Sequence, residues 1–379
     1  MFSFLKRYSP HTITVLLILA ALIGLYEMAG CTTAPPPDWT EQPAATPIAP
    51  VENTPLPAEA GQTDTFMVVY TDPYAANAQS RTGGPDEDLV AAVEGAQTSV
   101  DIAIYNLSLP NMQDALLRAA QRGVIVRLVM ESESLDGRVP QYLMAHGIDI
   151  VGDRREGLMH NKFMVIDRRE VWTGSMNYTA TGAYQDHNHI LRIVSEQLAH
   201  NYTLEFEEMF IADRFGPDGE ANTPYPLVDV NGSMVEVYFS PDDGVARHIV
   251  DVISSARQSI IFMAYSFTSD PISEAVLESA GQGVSVRGVF EEEQTLSNEG
   301  TEWDRLKDAG LDVRRDGNPG QMHHKVFVID GETVVLGSYN FSANAEKRND
   351  ENLLIIHNAD LAQQFMQEFE GIYARGSDH

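Results

Sequence analysis

Apolar and polar positions follow the same order twice along this chain. Residues 100–105 and 260–267 are short apolar runs rich in β-formers, and the local sequence Ser99-Val-Asp-Ile-Ala-Ile-Tyr105 matches Ser259-Ile-Ile-Phe-Met-Ala-Tyr265. Residues 111–122 and 271–282 carry helical periodicity, with Asn111 placed to cap the first helix and Gly123 or Gly283 just past each end. Residues 124–130 and 284–290 are again strand-like, each ahead of an acidic stretch, Glu131 to Glu133 and Glu291 to Glu293. Further on, Leu198, Ala199, Tyr202, Phe206 and Phe210 match Leu361, Ala362, Phe365, Phe369 and Tyr373, one apolar helical stripe per copy that belongs to the core. Strands alternating with helices predict an α/β fold. The architecture expected is two tandem repeats, each a β-sheet flanked by helices, packed with pseudo-two-fold symmetry. The first repeat spans residues 63–212 and the second 234–379. Residues 213–233, rich in Gly, Pro, Asp and Asn, read as a linker in which Tyr225-Pro-Leu-Val packs locally.

The first 31 residues have a different pattern. Lys6 and Arg7 precede an apolar run over 13–26, which ends in Met28-Ala-Gly-Cys31. A basic start, a short apolar stretch and a small-residue site are the marks of an export signal, and the run falls short of the ~20 apolar residues that span a bilayer. Cys31 is the only cysteine. The segment resembles a bacterial lipoprotein signal, which implies a lipidated Cys31. An uncleaved anchor or plain secretion are the other outcomes. Residues 32–62, rich in Pro, Ala and Thr, read as an extended tether. The expected location is the outer face of a bacterial cell membrane, or the medium. A single cysteine rules out disulfides within the chain, and two repeats of this size supply a core without them.

Charge narrows the choice of partner. Asp and Glu number 55 against 25 Lys and Arg, a formal net of −30. So acidic a chain repels polyanions at long range, which weighs against nucleic acid. Arg154, Arg155, Arg168 and Arg169, and later Arg314 and Arg315, read as ion-pairing partners of the many carboxylates.

The candidate chemistry lies in a repeated motif. His160-Asn-Lys162 is followed by Asp167 and by Gly174-Ser-Met-Asn177. His323-His-Lys325 is followed by Asp330 and by Gly337-Ser-Tyr-Asn340, with every counterpart 163 positions away. In a strand, residues i and i+2 share a face, so His160 and Lys162 point together, as do His323 and Lys325. Asp167 and Asp330 have the opposite parity and sit in turns, Asp330-Gly331 being a hairpin signal, so they do not face the same pocket. The hairpin returns Ser175 and Asn177, and Ser338 and Asn340, beside each His–Lys pair. Imidazole, ammonium, hydroxyl and amide together suit a phosphate: Lys, Ser and Asn hold its oxygens, and His serves as nucleophile or acid. Two such clusters facing each other allow in-line displacement with a phosphohistidine intermediate. No Cys/His cluster has zinc spacing, so neither metal nor cofactor is expected, and both motifs in one chain make a monomeric catalytic unit.

This doubled pattern resembles the phospholipase D superfamily over residues 65–376. The resemblance implies a metal-independent phosphodiesterase or phosphatidyltransferase. His160, Lys162, Asn177, His323, Lys325 and Asn340 would be catalytic, Ser175 and Ser338 supporting, and Asp167 and Asp330 structural. The second repeat resembles the small bacterial endonucleases of that superfamily, through Phe239-Ser-Pro-Asp-Asp243, Met263-Ala-Tyr-Ser-Phe-Thr268 and Asn349-Asp-Glu-Asn352. It implies that Glu351 braces a histidine, read here as His323. The first repeat has Asn188 at the corresponding position, with Asp186 and His187 nearby, so His160 is expected to lack this carboxylate unless Asp186 substitutes. On that reading His323 is the acid and His160 the nucleophile. Acidity and the N-terminal anchor favour phospholipid as the phosphodiester substrate. A nuclease, and a non-catalytic envelope protein that binds phosphate groups, are the alternatives.

Overall fold

The structure, a computed structural model, describes residues 66–377. The export segment, Cys31 and the tether lie outside the described residues.

Two sheets carry the strand runs. The first comprises β1 (Phe66–Tyr70), β2 (Ser99–Ile104), β3 (Ile125–Met130), β4 (Asp149–Gly152), β5 (Lys162–Ile166), β6 (Glu170–Gly174) and β7 (His189–Val194). The second comprises β8 (Leu227–Val230), β9 (Ser233–Ser240), β10 (Ser259–Ala264), β11 (Ser285–Phe290), β12 (Asp312–Arg315), β13 (Lys325–Ile329), β14 (Thr333–Gly337) and β15 (Glu351–His357). Their orders are β1-β7-β6-β5-β2-β3-β4 and β8-β9-β15-β14-β13-β10-β11-β12. Apart from β8 the two orders are identical, so the repeat seen in the sequence is a repeat of topology. In each sheet only the β2-β3-β4 or β10-β11-β12 edge is parallel.

β5 and β13 are buried along their whole length. Both faces of each sheet are covered, which is why these strands read as continuous apolar runs rather than alternating ones. One shared core joins the inner faces, with Phe163, Val165 and Leu191 from one sheet and Val326, Val328 and Leu354 from the other. The helices Glu196–Phe210 and Ala359–Tyr373 add Tyr202, Phe206, Phe365 and Phe369 to it. Fully burying such a ring is worth roughly 1.5–3 kcal/mol. The two outer faces pack under the remaining helices as separate clusters.

Two details depart from the sequence reading. The helix predicted to be capped by Asn111 begins at Pro110, with Leu109 at the cap. Proline supplies the first-turn φ, and the Asn111 amide donates instead to Asp86 Oδ2 at 2.6 Å. The stretch read as linker contains β8, which pairs with β9. Asn231 and Gly232 take positive φ, 52° and 87°, and turn the chain between those strands.

Candidate active site

Each motif is held in place by the opposite half. Met159 forms a β-bridge with Asp350, and His187 one with Met322. The His160 N–H donates to the Asp350 carbonyl at 3.0 Å, and the His323 N–H to the His187 carbonyl at 2.9 Å. The chain leading into β5 therefore meets the chain leading into β15, and the chain leading into β13 meets that leading into β7. Within each sheet Gly174 and Gly337 let the neighbouring strand close in: a Cβ at either would lie 2.3 or 2.2 Å from the carbonyl oxygen of His189 or Asn352 on β7 or β15.

This crossing corrects the expected bracing. His160 Nδ1 lies 2.7 Å from Glu351 Oε2, so the carboxylate assigned to His323 serves the histidine of the other repeat. His323 Nδ1 lies 2.9 Å from Asn188 Oδ1. The brace belongs to the partner half because the inter-half bridges, not the strands within a sheet, bring it to the imidazole. The candidate substitute Asp186 accepts from the Gln321 N–H instead. Asn188 is held as an acceptor: its amide donates to the Gly182 carbonyl at 3.0 Å, and Ser175 Oγ donates to Asn188 Oδ1 at 2.9 Å. Ser338 Oγ in turn accepts from the Asn352 N–H at 3.0 Å. Both serines thus orient the brace-bearing strands. With Nδ1–H donated backwards, each ring has Nε2 left for chemistry.

The lysines are buried with the histidines. Lys162 Nζ donates to the His160 carbonyl at 2.9 Å and Lys325 Nζ to the His323 carbonyl at 2.7 Å. Tyr105 packs edge-on against His160 and Tyr265 against His323, with ring centroids 5.3 and 4.6 Å apart. Burial, opposed by Glu351 and helped by Lys162 and Lys325, brings His160 down to about 4. Burial brings Lys162 down to about 7. Burial lowers His323 strongly, as do the charges of Lys325, Lys162 and His160. Lys325 is depressed by burial and by Lys162. Four protonatable groups from two repeats thus depress one another's proton affinity, so the two motifs share one electrostatic environment. Asn177 and Asn340 lie just past the ends of the returning strands β6 and β14, and the Oδ1 of each is buried without a partner among the described residues.

Asp167 and Asp330 stand elsewhere. Asp167 accepts the backbone N–H groups of Gln97, Thr98 and Ser99, and Asp330 those of Arg257, Gln258 and Ser259. Each clips its hairpin to the entry of the neighbouring strand. Arg155 pairs with Asp350 at 3.0 Å, Arg168 with Glu207 at 2.8 Å, and Arg154 with Asp213. Arg314 stacks over Tyr373 and Arg315 over Trp303.

A family described as "Cardiolipin synthase, PLD-like domain" matches residues 89–210 and 249–373, one match per repeat. The chain belongs to the phospholipase D-like family. It is 34% identical over 151 residues to a phospholipase D of Rickettsia bellii, a match covering 40% of this chain and 75% of that protein. It is 28% identical over 179 residues to a mitochondrial cardiolipin hydrolase of Chlamydomonas reinhardtii, covering 41% and 80%. The crystal structure of a phosphatidylserine synthase from Haemophilus influenzae superposes with TM-score 0.63 over 83% of this chain and 88% of that one, at 13% identity. This last likeness is one of fold, and it extends over both repeats.

Proposed function

We propose that this phospholipase D-like phosphodiesterase works without a metal through a phosphohistidine on His160, and that its substrates are phospholipids. The observation that carries this reading is the exchange of braces, which leaves one imidazole from each repeat beside two buried lysines. His160 Nε2 attacks phosphorus, and the bond to the leaving oxygen breaks as His323 protonates that oxygen. Water then attacks phosphorus, His323 takes its proton, and the P–N bond returns its electron pair to His160. An alcohol in place of water gives transphosphatidylation. Lys162, Lys325, Asn177 and Asn340 hold the non-bridging oxygens.

The nucleophile assignment keeps the expected residue for a different reason. An N-phosphorylated imidazole that retains Nδ1–H is cationic, and Glu351 stabilises that charge. His323, backed by a neutral amide, is the stronger acid once protonated. The net charge of −30 supports a lipid substrate over a polyanion. So do the relatives named phospholipase D and cardiolipin hydrolase. Anchoring through residues 1–31 would hold the catalytic unit, one chain, at a membrane surface.

The test is turnover in EDTA on phosphatidylcholine in mixed micelles, beside single- and double-stranded DNA. Choline release with no DNA cleavage supports the proposal. Cleavage of DNA alone assigns the site to nucleic acid. Phosphate binding with no turnover makes the chain a binding protein, and a strict need for Mg²⁺ or Zn²⁺ overturns the mechanism.

A further inference from the structure

The residue after each motif histidine is buried, and so is the residue after each brace. These are Asn161 and His324, then His189 and Asn352. Asn161 and His324 are counterparts 163 positions apart, as are His189 and Asn352, and as are Glu205 and Glu368. Each set forms a line of contacts between the halves.

At the His160 end the line is made of amides. Asn352 Nδ2 donates to Asn161 Oδ1 at 2.9 Å, and Asn161 Nδ2 donates to Glu205 Oε1 at 3.2 Å. Burial, then the charges of Asp350, Glu208 and Asp242, pushes the Glu205 carboxyl well up. At the His323 end the same positions hold imidazoles. His189 Nδ1 lies 2.9 Å from His324 Nδ1, and His324 Nε2 lies 3.3 Å from Glu368 Oε1. Burial pushes the Glu368 carboxyl up, but His187 and His324 outweigh it and bring it down to about 2. A carboxylate requires His324 to donate from Nε2. A neutral His324 then accepts at Nδ1, so His189 donates from Nδ1. This tautomer leaves His189 Nε2 without a proton, in keeping with its lack of any partner among the described residues.

The two ends therefore place their carboxylate differently. Behind His160 stands a carboxylate, with an amide pair beside it. Behind His323 stands an amide, with an imidazole pair and a carboxylate beside it. Because His189 follows Asn188 and His324 follows His323, the imidazole pair ties the segment carrying the brace to the segment carrying the braced ring.

We propose that His189 and His324 are positioning residues for His323, acting as a neutral imidazole pair anchored on Glu368 that makes this half of the site sensitive to acid where the amide pair of the other half is not. The proposal rests on the reading of His323 as the acid–base group. The groups facing the pair are Tyr70 from β1, Ser175 just after β6, Phe365 and Glu368 from the helix Ala359–Tyr373, His187 ahead of β7, and Lys325 at the start of β13. Only Glu368 favours a proton on the pair, and burial, Lys325 and His187 oppose one. An added proton either breaks the Nδ1 contact or lands on a buried nitrogen with no acceptor. Both rings titrate below the ordinary value near 6.5. An opened pair binds protons that the closed pair refuses, so falling pH below about 6.5 favours opening.

The test uses bis(4-nitrophenyl) phosphate from pH 5 to 8 with the parent, His323→Ala, His324→Ala and the double variant His189→Asn/His324→Asn. Circular dichroism checks the fold. The double variant rebuilds the amide pair of the other end. His324→Ala should lower kcat at pH 7.5 at least tenfold with KM changed less than threefold. The double variant should recover most of that loss, and its acid limb should lie at least half a pH unit below the parent's. Unchanged kcat and acid limb in both variants, or equal losses with the limb unmoved, would overturn the proposal. If His324→Ala fails to fold, the double variant's acid limb decides alone. Full turnover in His323→Ala would instead defeat the two-histidine reading, and that result needs no variant of the pair.

Discussion

Nδ1 of His160 lies 2.7 Å from Oε2 of Glu351, a residue 191 positions further along the chain and in the other repeat. The counterpart contact, His323 to Asn188, replaces the carboxylate with an amide. Two otherwise equivalent histidines are thereby made chemically unequal. Glu351→Gln should slow phosphoenzyme formation by on the order of a hundredfold or more, since a neutral amide replaces the carboxylate behind an imidazole that becomes cationic. Asn188→Asp should raise the affinity of His323 for its proton and move the alkaline limb of the pH–rate profile upward. Stopped-flow measurement with bis(4-nitrophenyl) phosphate checks the first, and the pH profile with a phosphodiester whose alkoxide leaving group needs a proton checks the second. An unaffected Glu351→Gln enzyme would remove the carboxylate from the mechanism.

The covalent label distinguishes the two histidines. After rapid quench with a ³²P-labelled phosphodiester that leaves its phosphate on the protein, label should map to the peptide containing His160. His323→Ala should still be labelled by a substrate with a good leaving group, while His160→Ala should not. Both variants should lose several powers of ten in turnover, because one phosphate needs both rings. Label on the His323 peptide would reverse the roles and retain the chemistry.

Much of this architecture was legible because it is local. The apolar runs of β2, β5, β10 and β13 and the motif spacing need only neighbouring residues to be read. The turns after Ile166 and Ile329 are local too: Asp167, Arg168, Asp330 and Gly331 all take positive φ. The bracing was not legible, because linear order says nothing about which copy a residue near the pseudo-two-fold axis will touch. Asn188 and Glu351 share the 163 offset, which marks them as counterparts but does not reveal the exchange. Asn161 and His324 passed unnoticed as the variable middle of His-x-Lys, although their burial makes them part of the inter-half seam. Asn231-Gly232 was a hairpin signal inside a segment whose composition reads as linker.

The pH dependence of kcat/KM should be set by groups of the free protein. On the proposed mechanism attack requires a neutral His160, which burial keeps unprotonated down to about 4. Anion capture requires a charged Lys162, which burial brings down to about 7. By themselves these two groups should set an acid limb near 4 and an alkaline limb near 7, and the protons of His323 and of the His189–His324 pair act inside that window. Lys162→Arg, whose guanidinium stays charged, should move the alkaline limb upward whatever it does to the maximum. A limb left in place would assign that titration to another group, with His323 the next to test.

Asp167 should act on stability and not on chemistry. Burial pushes its carboxyl up, but the N–H groups of Ser99, Thr98 and Gln97 outweigh burial and leave it below the ordinary carboxylate range. A folded value below the unfolded one gives stability that is present above about pH 4 and is lost as pH falls through the folded value. Asp167→Asn should cost roughly 1–2 kcal/mol at neutral pH, as weaker bonds replace charge-assisted ones. Urea denaturation at pH 7 and pH 3 should show the difference shrinking in acid, while kcat of the folded protein stays within twofold of the parent. A loss of kcat with unchanged stability would place this aspartate in the site.

The N-terminal segment is expected to decide where the protein is held. If Cys31 is lipidated, acyl chains supply the anchoring free energy at about 0.8 kcal/mol per buried CH₂. Cys31→Ser should then leave the protein in the soluble export fraction or block its processing. An uncleaved anchor would instead hold through residues 13–26, and the variant would remain in the membrane with residues 1–30 retained. Fractionation with intact-mass measurement separates the two. Release of the variant, with a parent mass showing loss of residues 1–30 and gain of acyl groups, is the expected result. A parent already in the medium, with an unmodified cysteine or none, would make this a secreted enzyme that must find its lipid from solution.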